Sequence, residues 1–409
     1  MNEKTYDAII IGGGLTGLLT TYALSSKGFN VAIVDKSPFN SIKNIKLDFR
    51  TTAISEGSKI FLDKIGIWQK LGRYSEPIKK IIVYDRDESN KIEFQNSIKK
   101  SYLGYVVENQ FIKKILLENI SRKKNVKILE SKELIDLEIN HICTATLSNK
   151  NEIKSEILIA ADGKNSFVRK LIKTPAFNKN YNHTALVMNV SHAQNHKNIA
   201  YEIFFKNGPL AILPMKKKLS YKFLSSVIWT HNSDYFKNLE SVDKKLFQLF
   251  IEGKLEKYLG KIHKILNMRT FNLSAHINSN FSNNRLVYIG DAAHSMHPIA
   301  GQGWNVGIRD IENLLYSIEE GLSLGLALGD NHICKNYHSL SYKDAFSMYQ
   351  ITDKLNSAFL FENFISKKIR HIGIDFINRK RNLKNLISNY AMGKKISSSN
   401  IDIYKKLFN

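Results

Sequence analysis

The stretch from Tyr6 to Lys36, YDAIIIGGGLTGLLTTYALSSKGFNVAIVDK, leaves this chain few ways to begin folding. Ala8 to Ile11 form a continuous apolar run, the pattern of a parallel strand buried on both faces. Leu15, Leu18, Leu19, Tyr22 and Ala23 then recur at helical spacing, and VAIVD ends a second strand at Asp35. Between the first strand and the helix, Gly12, Gly14 and Gly17 spell G-x-G-x-x-G. Glycine at these places permits a tight turn, lets the backbone approach a pyrophosphate and seats helix against strand, while the helix N-terminus offers N–H donors to phosphate. Asp35 stands about 20 residues on, where an acid takes ribose hydroxyls. An acid there repels a 2′-phosphate, which leaves FAD or NAD as the dinucleotide.

Two later segments follow the same logic. After the strand-like EILIAADG comes KNSFVRKLI, so that Asp162, Gly163, Ser166 and Arg169 read D-G-x-x-S-x-x-R, with a short helix carrying Arg169 toward anionic groups. Leu286 to Ile289 form another buried strand, ending in Gly290 and Asp291 at the carboxyl edge where open α/β sheets bind ligands. HPIAGQGWNVGIRD follows, from His297 to Asp310. A glycine inside a helix costs up to about 1 kcal/mol relative to alanine, so Gly301, Gly303 and Gly307 point to a need for bare backbone. Pro298 ends the preceding segment, IAGQG makes a loop, and a helix starts near Gly303 with Val306, Ile308, Ile311, Leu314 and Leu315 on or near its inner face. Its N-terminus presents unpaired N–H groups and roughly half a positive charge, suited to a ligand that becomes anionic. His294 and His297 lack a third ligand nearby, so no metal site is expected. Trp304 reads as a packing residue or pocket wall.

The trio GGGLTG, AADGKNSFVR and YIGDAAHSMHPIAGQGWNVGIRD, in that order and spacing, resembles the single-component FAD-dependent monooxygenases related to p-hydroxybenzoate hydroxylase. Within that group, His297, Pro298, Gly301, Gln302, Gly303, Asn305, Gly307 and Asp310 are similar to the H-P-x-[AG]-G-Q-G-x-N-x-G-x-x-D pattern of the ubiquinone-biosynthesis aromatic hydroxylases. LDFRTTAIS at 47–55, GYVVENQFIKKIL at 104–116, GPLAILPM at 208–215 and NYAMGKK at 389–395 extend the likeness over nearly the whole chain.

The resemblance implies an α/β fold: a Rossmann-like FAD-binding domain, an inserted antiparallel β-sheet substrate domain and a helical C-terminal region. It assigns residues 1–75, 106–178 and 281–330 to the FAD-binding domain, 76–105 and 179–280 to the substrate sheet, and 331–409 to the helical end. It implies that Gly12, Gly14, Gly17 and Asp35 hold the ADP half of FAD, that Arg50 lies near the pyrophosphate, and that Gly290 and Asp291 take the ribityl chain. Asp162 and Arg169 then serve FAD and a transient NADPH or NADH, which has no G-x-G-x-x-G unit of its own. Pro298, Gly301, Gln302 and Gly303, with Asn305, form the catalytic loop at the flavin ring. The chemistry implied is ring hydroxylation of a lipophilic polyprenylated phenol in ubiquinone biosynthesis, with NAD(P)H and O2, through a flavin 4a-hydroperoxide. Two rivals stay open: a flavin-dependent reductase or epoxidase of an isoprenoid, and a weakly active flavin-bound scaffold of a biosynthetic complex.

Between Lys179 and Ser279 the sequence turns to β-rich alternation with few helical signals. GPLAILPM is the segment expected over the substrate: Pro209 and Pro214 limit ladder pairing, leaving Leu210, Ile212, Leu213 and Pro214 as pocket-lining candidates. No general base stands out. From Asn363 to Lys395, nine Lys/Arg face one acid, Asp375, with Ile365, Ile369, Ile372, Phe376 and Ile377 at helical spacing, a pattern fit for an anionic interface. The whole chain carries 60 Lys+Arg against 37 Asp+Glu, a formal +23, compatible with an acidic partner or with compositional bias toward lysine. No basic stretch is interleaved with stacking aromatics, so nucleic acid is not an expected partner. Two cysteines make no disulfide framework, no signal peptide is visible, and GLSLGLALG at 321–329 is far short of the roughly 18 apolar residues of a membrane span. The expectation is a cytoplasmic protein with peripheral contact on the inner face of the membrane. The tail ISSSNIDIYKKLFN is expected to be loosely held.

Overall fold

Apolar runs too short for helices and bounded by glycine become the parallel strands of the first sheet. The structure, a computed structural model, describes residues 5–39, 48–95, 102–240, 243–360 and 364–393. Thr5–Ile11 lies between Glu152–Ala160 and Val31–Asp35, and the order continues outward to Leu286–Tyr288 on one side and Val126–Glu130 on the other, all parallel. Ile9, Ile10, Ile33, Leu158 and Ile159 are fully buried, each worth about 1.5–3 kcal/mol of apolar burial. An antiparallel ribbon, Leu134–Ile139 with Cys143–Leu147, extends this sheet along Glu152–Ala160.

Two 17-residue strands, Ala176–His192 and Ile262–Asn278, pair along their length and carry the chain into a second eight-stranded sheet. Its order runs His294–Ser295, Ile262–Asn278, Ala176–His192, Leu224–Asn232, Gly208–Met215, Ile199–Phe205, Lys80–Asp85, Asp87–Gln95. All pairs are antiparallel except Ile199–Phe205 with Lys80–Asp85. His294–Ser295 thus joins the second sheet although its neighbours on both sides serve the first. A small third sheet, Thr51–Ser55, Gly104–Glu108 and Ser75–Ile78, lies beside both.

The β-rich segment also holds two helices that its alternation conceals, Ser233–Glu240 and Lys244–Leu259. Phe247, Ile251, Leu255 and Leu259 recur every fourth residue, and Asp243 caps the second helix by accepting from the N–H of Lys245 and Leu246. These helices cover one face of the second sheet, burying Leu186, Met188, Ile203, Val227 and Trp229. The opposite face meets the turn at Pro298 and Ile299, the third sheet and Phe359.

Among the described residues three helices come last: Asn331–Leu360, Phe364–Arg379 and Arg381–Ala391. The first packs along Gly303–Ser323, fixed by Arg309 to Asp344 at 2.6 Å and by the Tyr337 hydroxyl donating to the Tyr288 carbonyl at 2.6 Å. It then reaches the second sheet, where Phe359 stacks on Phe204. Arg370 is buried against Asp85 at 3.0 Å, so it is not part of a solvated cationic face. The side chains of Ile365 and Ile369, and the tail from Ile396 onward, lie outside the described residues.

Candidate functional site

The first glycine turn is shaped from inside. Gly12 has φ +112°, and a Cβ there would stand 2.3 Å from the Ala161 carbonyl; one on Gly17 would stand 1.9 Å from the Gly12 carbonyl. Gly14 is different: a Cβ there would meet nothing within 4 Å, and the helix Leu15–Ser26 that follows has no side-chain cap and no acid in its first turn. The carboxylate of Asp35 lies across the turn, accepting from the N–H of Gly13 at 2.5 Å and of Ser37 at 2.7 Å. The result is an open, uncapped helix N-terminus beside an acid, the donor set a dinucleotide needs.

The next two motifs meet this turn at the carboxyl edge of the sheet. Asp162 caps its short helix, one oxygen accepting from Phe167 N–H at 2.7 Å and Val168 N–H at 3.1 Å, while its other oxygen is buried with no partner. Arg169 departs from expectation. Its guanidinium donates to His276 Nε2 at 2.9 Å and to the carbonyls of Ala292 and Lys164 at 3.2 and 2.6 Å, so it ties the D-G helix to the second sheet instead of pointing at an anion. Gly290, φ +56°, donates to Asp310, and Asp291 stands exposed beside it. Arg50 is also exposed, forked onto Asp48 at 2.7 and 2.8 Å and resting over Phe271, within electrostatic reach of Asp291.

The opening of Gly303–Ser323 completes the edge. A tight turn at Ile299–Gly301 brings Gly301 to φ +61°, and the helix starts with no side-chain cap and open space at Gly303. Asn305 also departs from expectation. Its Oδ1 accepts from Ser55 N–H at 2.9 Å and its Nδ2 donates to the carbonyls of Ala53 and Gly301, so the amide is engaged in latching the loop to the third sheet. Gln302 donates to the Ala391 carbonyl at 3.1 Å, joining the loop to the end of the last helix.

Asp310, one turn further, holds both Gly290 and His294 Nε2, the latter at 2.7 Å with each side chain 1% exposed. Burial opposes a charge on His294, yet Asp310 outweighs it and the ring's pKa is raised. His297 is the reverse: burial pushes its pKa down to about 3, both ring nitrogens lack partners, and the ring packs edge-on to Tyr181.

Across from Pro298 and Ile299 lies the second sheet, and strand register decides which residues look at them. Glu202, Ala211, Ile228 and Val187 form one rung across four strands; Phe204, Pro209, Thr230 and Ala185 form the next. Glu202, Pro209, Ala211, Ile228 and Thr230 line a narrow cleft with Pro298 and Ile299, its volume about 10 Å³, room for about one water molecule. On a third rung Asn189 Oδ1 and Ser226 Oγ are buried without partners, Asn189 donating its amide to the Phe49 carbonyl. Leu210 and Ile212, expected to line the pocket, are buried on the other face with Trp229 and Phe236, and Pro214 shares their side of the strand. The alternation of period two sends them there. Leu213 faces the cleft side and packs with Ala53 and Met392. Sequence reasoning missed Glu202, and its one signal is a lone acid inside the apolar run IAYEIFF.

This geometry, an open glycine turn with an acid, an uncapped second helix and an apolar sheet face across a cleft, is that of a flavoprotein. Residues 5–327 match the FAD binding domain family, and the chain belongs to it. Full-length relatives narrow the class to the FAD-dependent ubiquinone hydroxylases: the chain is 32% identical over 395 residues to ubiquinone hydroxylase UbiL of Rhodospirillum rubrum, covering 96% of this chain and 90% of that one. It is 26% identical over 462 residues to the mitochondrial ubiquinone biosynthesis monooxygenase COQ6 of Dictyostelium discoideum, covering 96% and 92%. In fold it is similar to p-nitrophenol 4-monooxygenase PnpA from Pseudomonas putida, with a TM-score of 0.76 at 14% identity over 96% of this chain and 100% of that one. The chain is an FAD-dependent monooxygenase.

Proposed function

We propose that this enzyme hydroxylates the ring of a lipophilic polyprenylated phenol in ubiquinone biosynthesis, using NAD(P)H and O2. The observation that carries the reading is the placing of the Pro298–Gly303 loop across a narrow cleft from the face of the second sheet opposite to the one that Ser233–Glu240 and Lys244–Leu259 cover. In this reading Gly12, Gly14, Gly17 and Asp35 hold the ADP half of FAD, Arg50 neighbours its pyrophosphate, Asp291 takes the ribityl chain, and the unpartnered oxygen of Asp162 faces the same group. Bound FAD, reduced by NAD(P)H, supplies the O2-derived oxygen. The protein's own part is to present the N–H groups at Gly303 to developing negative charge, to admit the phenol beside Pro298 by parting the walls of a cleft that holds only about 10 Å³ as it stands, and to keep water out with Pro209, Ala211, Ile228 and Ile299. Asn305 and Gln302 position the loop, and Arg169 the D-G helix.

The test is turnover of a short-chain prenylated phenol by purified enzyme with FAD, NADH or NADPH and isotopically labelled O2. One labelled oxygen on the ring supports the reading; reductant consumption without ring oxygen, or saturation of the prenyl double bond, overturns it.

The same reading places the substrate in lipid, and the C-terminal helices supply a surface for reaching it. No described helix is long and apolar enough to cross a membrane. Ile372 and Phe376 are 60% and 47% exposed one turn apart on Phe364–Arg379, beside exposed Lys368, and Ile351 and Leu355 are partly exposed on the preceding helix. Apolar side chains flanked by cations fit peripheral docking on an anionic bilayer. Replacing Ile372 and Phe376 together by glutamate is expected to abolish flotation with phosphatidylglycerol vesicles; unchanged flotation removes the docking reading.

A further inference from the structure

We propose that Glu202 is the group that accepts the proton of the substrate's ring hydroxyl, a role that rests on the phenol hydroxylation proposed above. Glu202 sits in the strand Ile199–Phe205, opposite Ala211 on one neighbour and Val83 on the other. Among the described residues it is the one ionisable side chain lining the cleft; the other walls are Pro209, Ala211, Ile228, Thr230, Pro298 and Ile299. The last two belong to the turn that positions Gly301 and Gly303, so Glu202 lines the same cleft as the loop at which the oxygen is delivered. Among the described residues the carboxylate has no hydrogen-bond or ion-pair partner. The acid one rung along the next strand, Asp85, is held by Arg370 from the C-terminal helices. Among the described residues neither the Pro298–Gly303 turn nor the strands Gly208–Met215 and Leu224–Asn232 set a charged group in the cleft, and Arg269, on the same rung and the same face, stands four strands away beyond Val187.

An unpartnered carboxyl in an apolar cleft is costly unless something is meant to meet it there. Part of the side chain still faces the cleft, while the surrounding walls push its pKa up to about 8. A base of that strength lies below a phenol of ordinary pKa about 10 and near working pH, the range in which a general base serves best. As the ring is attacked, the O–H proton passes to Glu202 and the O–H electron pair moves into the ring. The attacked carbon forms its bond to one oxygen derived from O2 as the O–O bond breaks, the other oxygen keeping that bond's electron pair and leaving as water once protonated; the carbon then loses its hydrogen as H⁺, and the ring oxygen recovers a proton from Glu202. The net change is ring C–H plus O2, NAD(P)H and H⁺ to ring C–OH, water and NAD(P)⁺.

The experiment uses FAD-loaded full-length enzyme, 2-prenylphenol and its methyl ether. Glu202→Gln is expected to lower phenol hydroxylation about 100-fold, within the usual span of general-base catalysis, while flavin content stays at the wild-type level. The wild-type rate should rise with pH to a plateau through an inflection near 8, and the Gln variant should lack it. An infrared carbonyl band of a protonated carboxylic acid, titrating over that range in the wild type and absent from the variant, reads the group without turnover. The methyl ether, with no proton to give, should not be hydroxylated. Equal hydroxylation and an equal inflection in E202Q, or no titrating band in the wild type, overturns the assignment, the band deciding alone if the variant does not fold. Wild-type enzyme that leaves the phenol untouched overturns the hydroxylase reading and this proposal together; hydroxylating wild type matched by E202Q overturns this one only.

Discussion

The two glycine-rich turns that meet at the edge of the first sheet use the same residue for opposite ends. At Gly12 and Gly17 the missing side chain is filled by the protein itself: an added Cβ would fall 2.3 and 1.9 Å from backbone carbonyls. At Gly301 and Gly303 the space is kept clear, with one Ala53 methyl 3.3 Å from the first position and nothing near the second. The first turn is a joint and the second an opening. Stability and activity should therefore separate cleanly between them.

The largest effect is expected at the joint. Gly17→Val places a branched side chain where a backbone carbonyl cannot give way, so helix and strand must part. The expected loss exceeds about 4 kcal/mol, in the exceptional range for a single substitution, and the purified protein should carry no flavin absorbance. A stable, yellow Gly17→Val protein would show that the turn is not packed from inside.

Asp310→Asn ranks next. The carboxylate ties the helix that opens at Gly303 to the preceding strand end by holding Gly290 N–H and His294 at once, and removing one partner of a buried ion pair costs about 3–5 kcal/mol. The thermal midpoint should fall accordingly. A midpoint shift near zero would mean that His294 is neutral and that Asp310 is replaceable by any hydrogen-bonding side chain.

Gly303→Ala should leave the fold intact, since alanine is the better helix former and nothing stands within 4 Å of the new methyl. Stability should change by less than about 1 kcal/mol. Hydroxylation should fall by about 100-fold, the loss typical of a misplaced donor to developing charge. Full activity in this variant would end the idea of an opening. A shared collapse of stability and activity would make it a second joint.

Much of this comparison was open to sequence reasoning, and the part that was not has a physical pattern. The Ala8–Ile11 run, the glycine spacing and Asp35 are local signals, each readable within one strand–turn–helix unit. Asn305 and Arg169 failed to be legible because their partners lie far away in the chain: Asn305 reaches Ala53, 252 residues off, and Arg169 reaches His276, 107 residues off. A side chain's type shows that it can bind an anion or a carbonyl, but only the fold says which one it meets. Leu210 and Ile212 illustrate a second limit. Period-two alternation separates a strand's faces without saying which face looks at the helices, and the helices that settle it, Ser233–Glu240 and Lys244–Leu259, were hidden inside a segment read as strands. In the second of these, Leu246 and Leu249 are exposed and blur the stripe of Phe247, Ile251 and Leu255. Glu202 was overlooked for the same reason, since one acid in an apolar strand gains meaning only when the rung opposite is known.

The smallest effect, and the one that tests the electrostatics of the opening, is the pH dependence of stability. Three buried histidines surround the two turns and do not share a sign. His294 has its pKa raised by Asp310 against the cost of burial, so the folded state holds that proton more tightly than the unfolded chain, whose histidines titrate at about 6.5. Its contribution is complete below about 6.5 and drains away as pH climbs through the folded value. His276 and His297 are pushed down to about 3, both by burial first, with Arg169 adding to the effect at His276 and His183 at His297. Arg169 donating to His276 Nε2 leaves Nδ1 to donate to Ser295, so that ring is built to stay neutral. Unfolding lets these two rings take up protons below about 6.5, and stability is lost from there toward pH 3. Each such proton gives a slope of at most about 1.4 kcal/mol per pH unit. Chemical denaturation between pH 5 and pH 9 should therefore give a maximum near pH 6.5, as an order-of-magnitude placing from the unfolded histidine value. Replacing His294 by Gln should flatten only the alkaline side and replacing His297 by Gln only the acid side. If both variants flatten the same side, the opposed charge states assigned to the two ends of this loop are wrong.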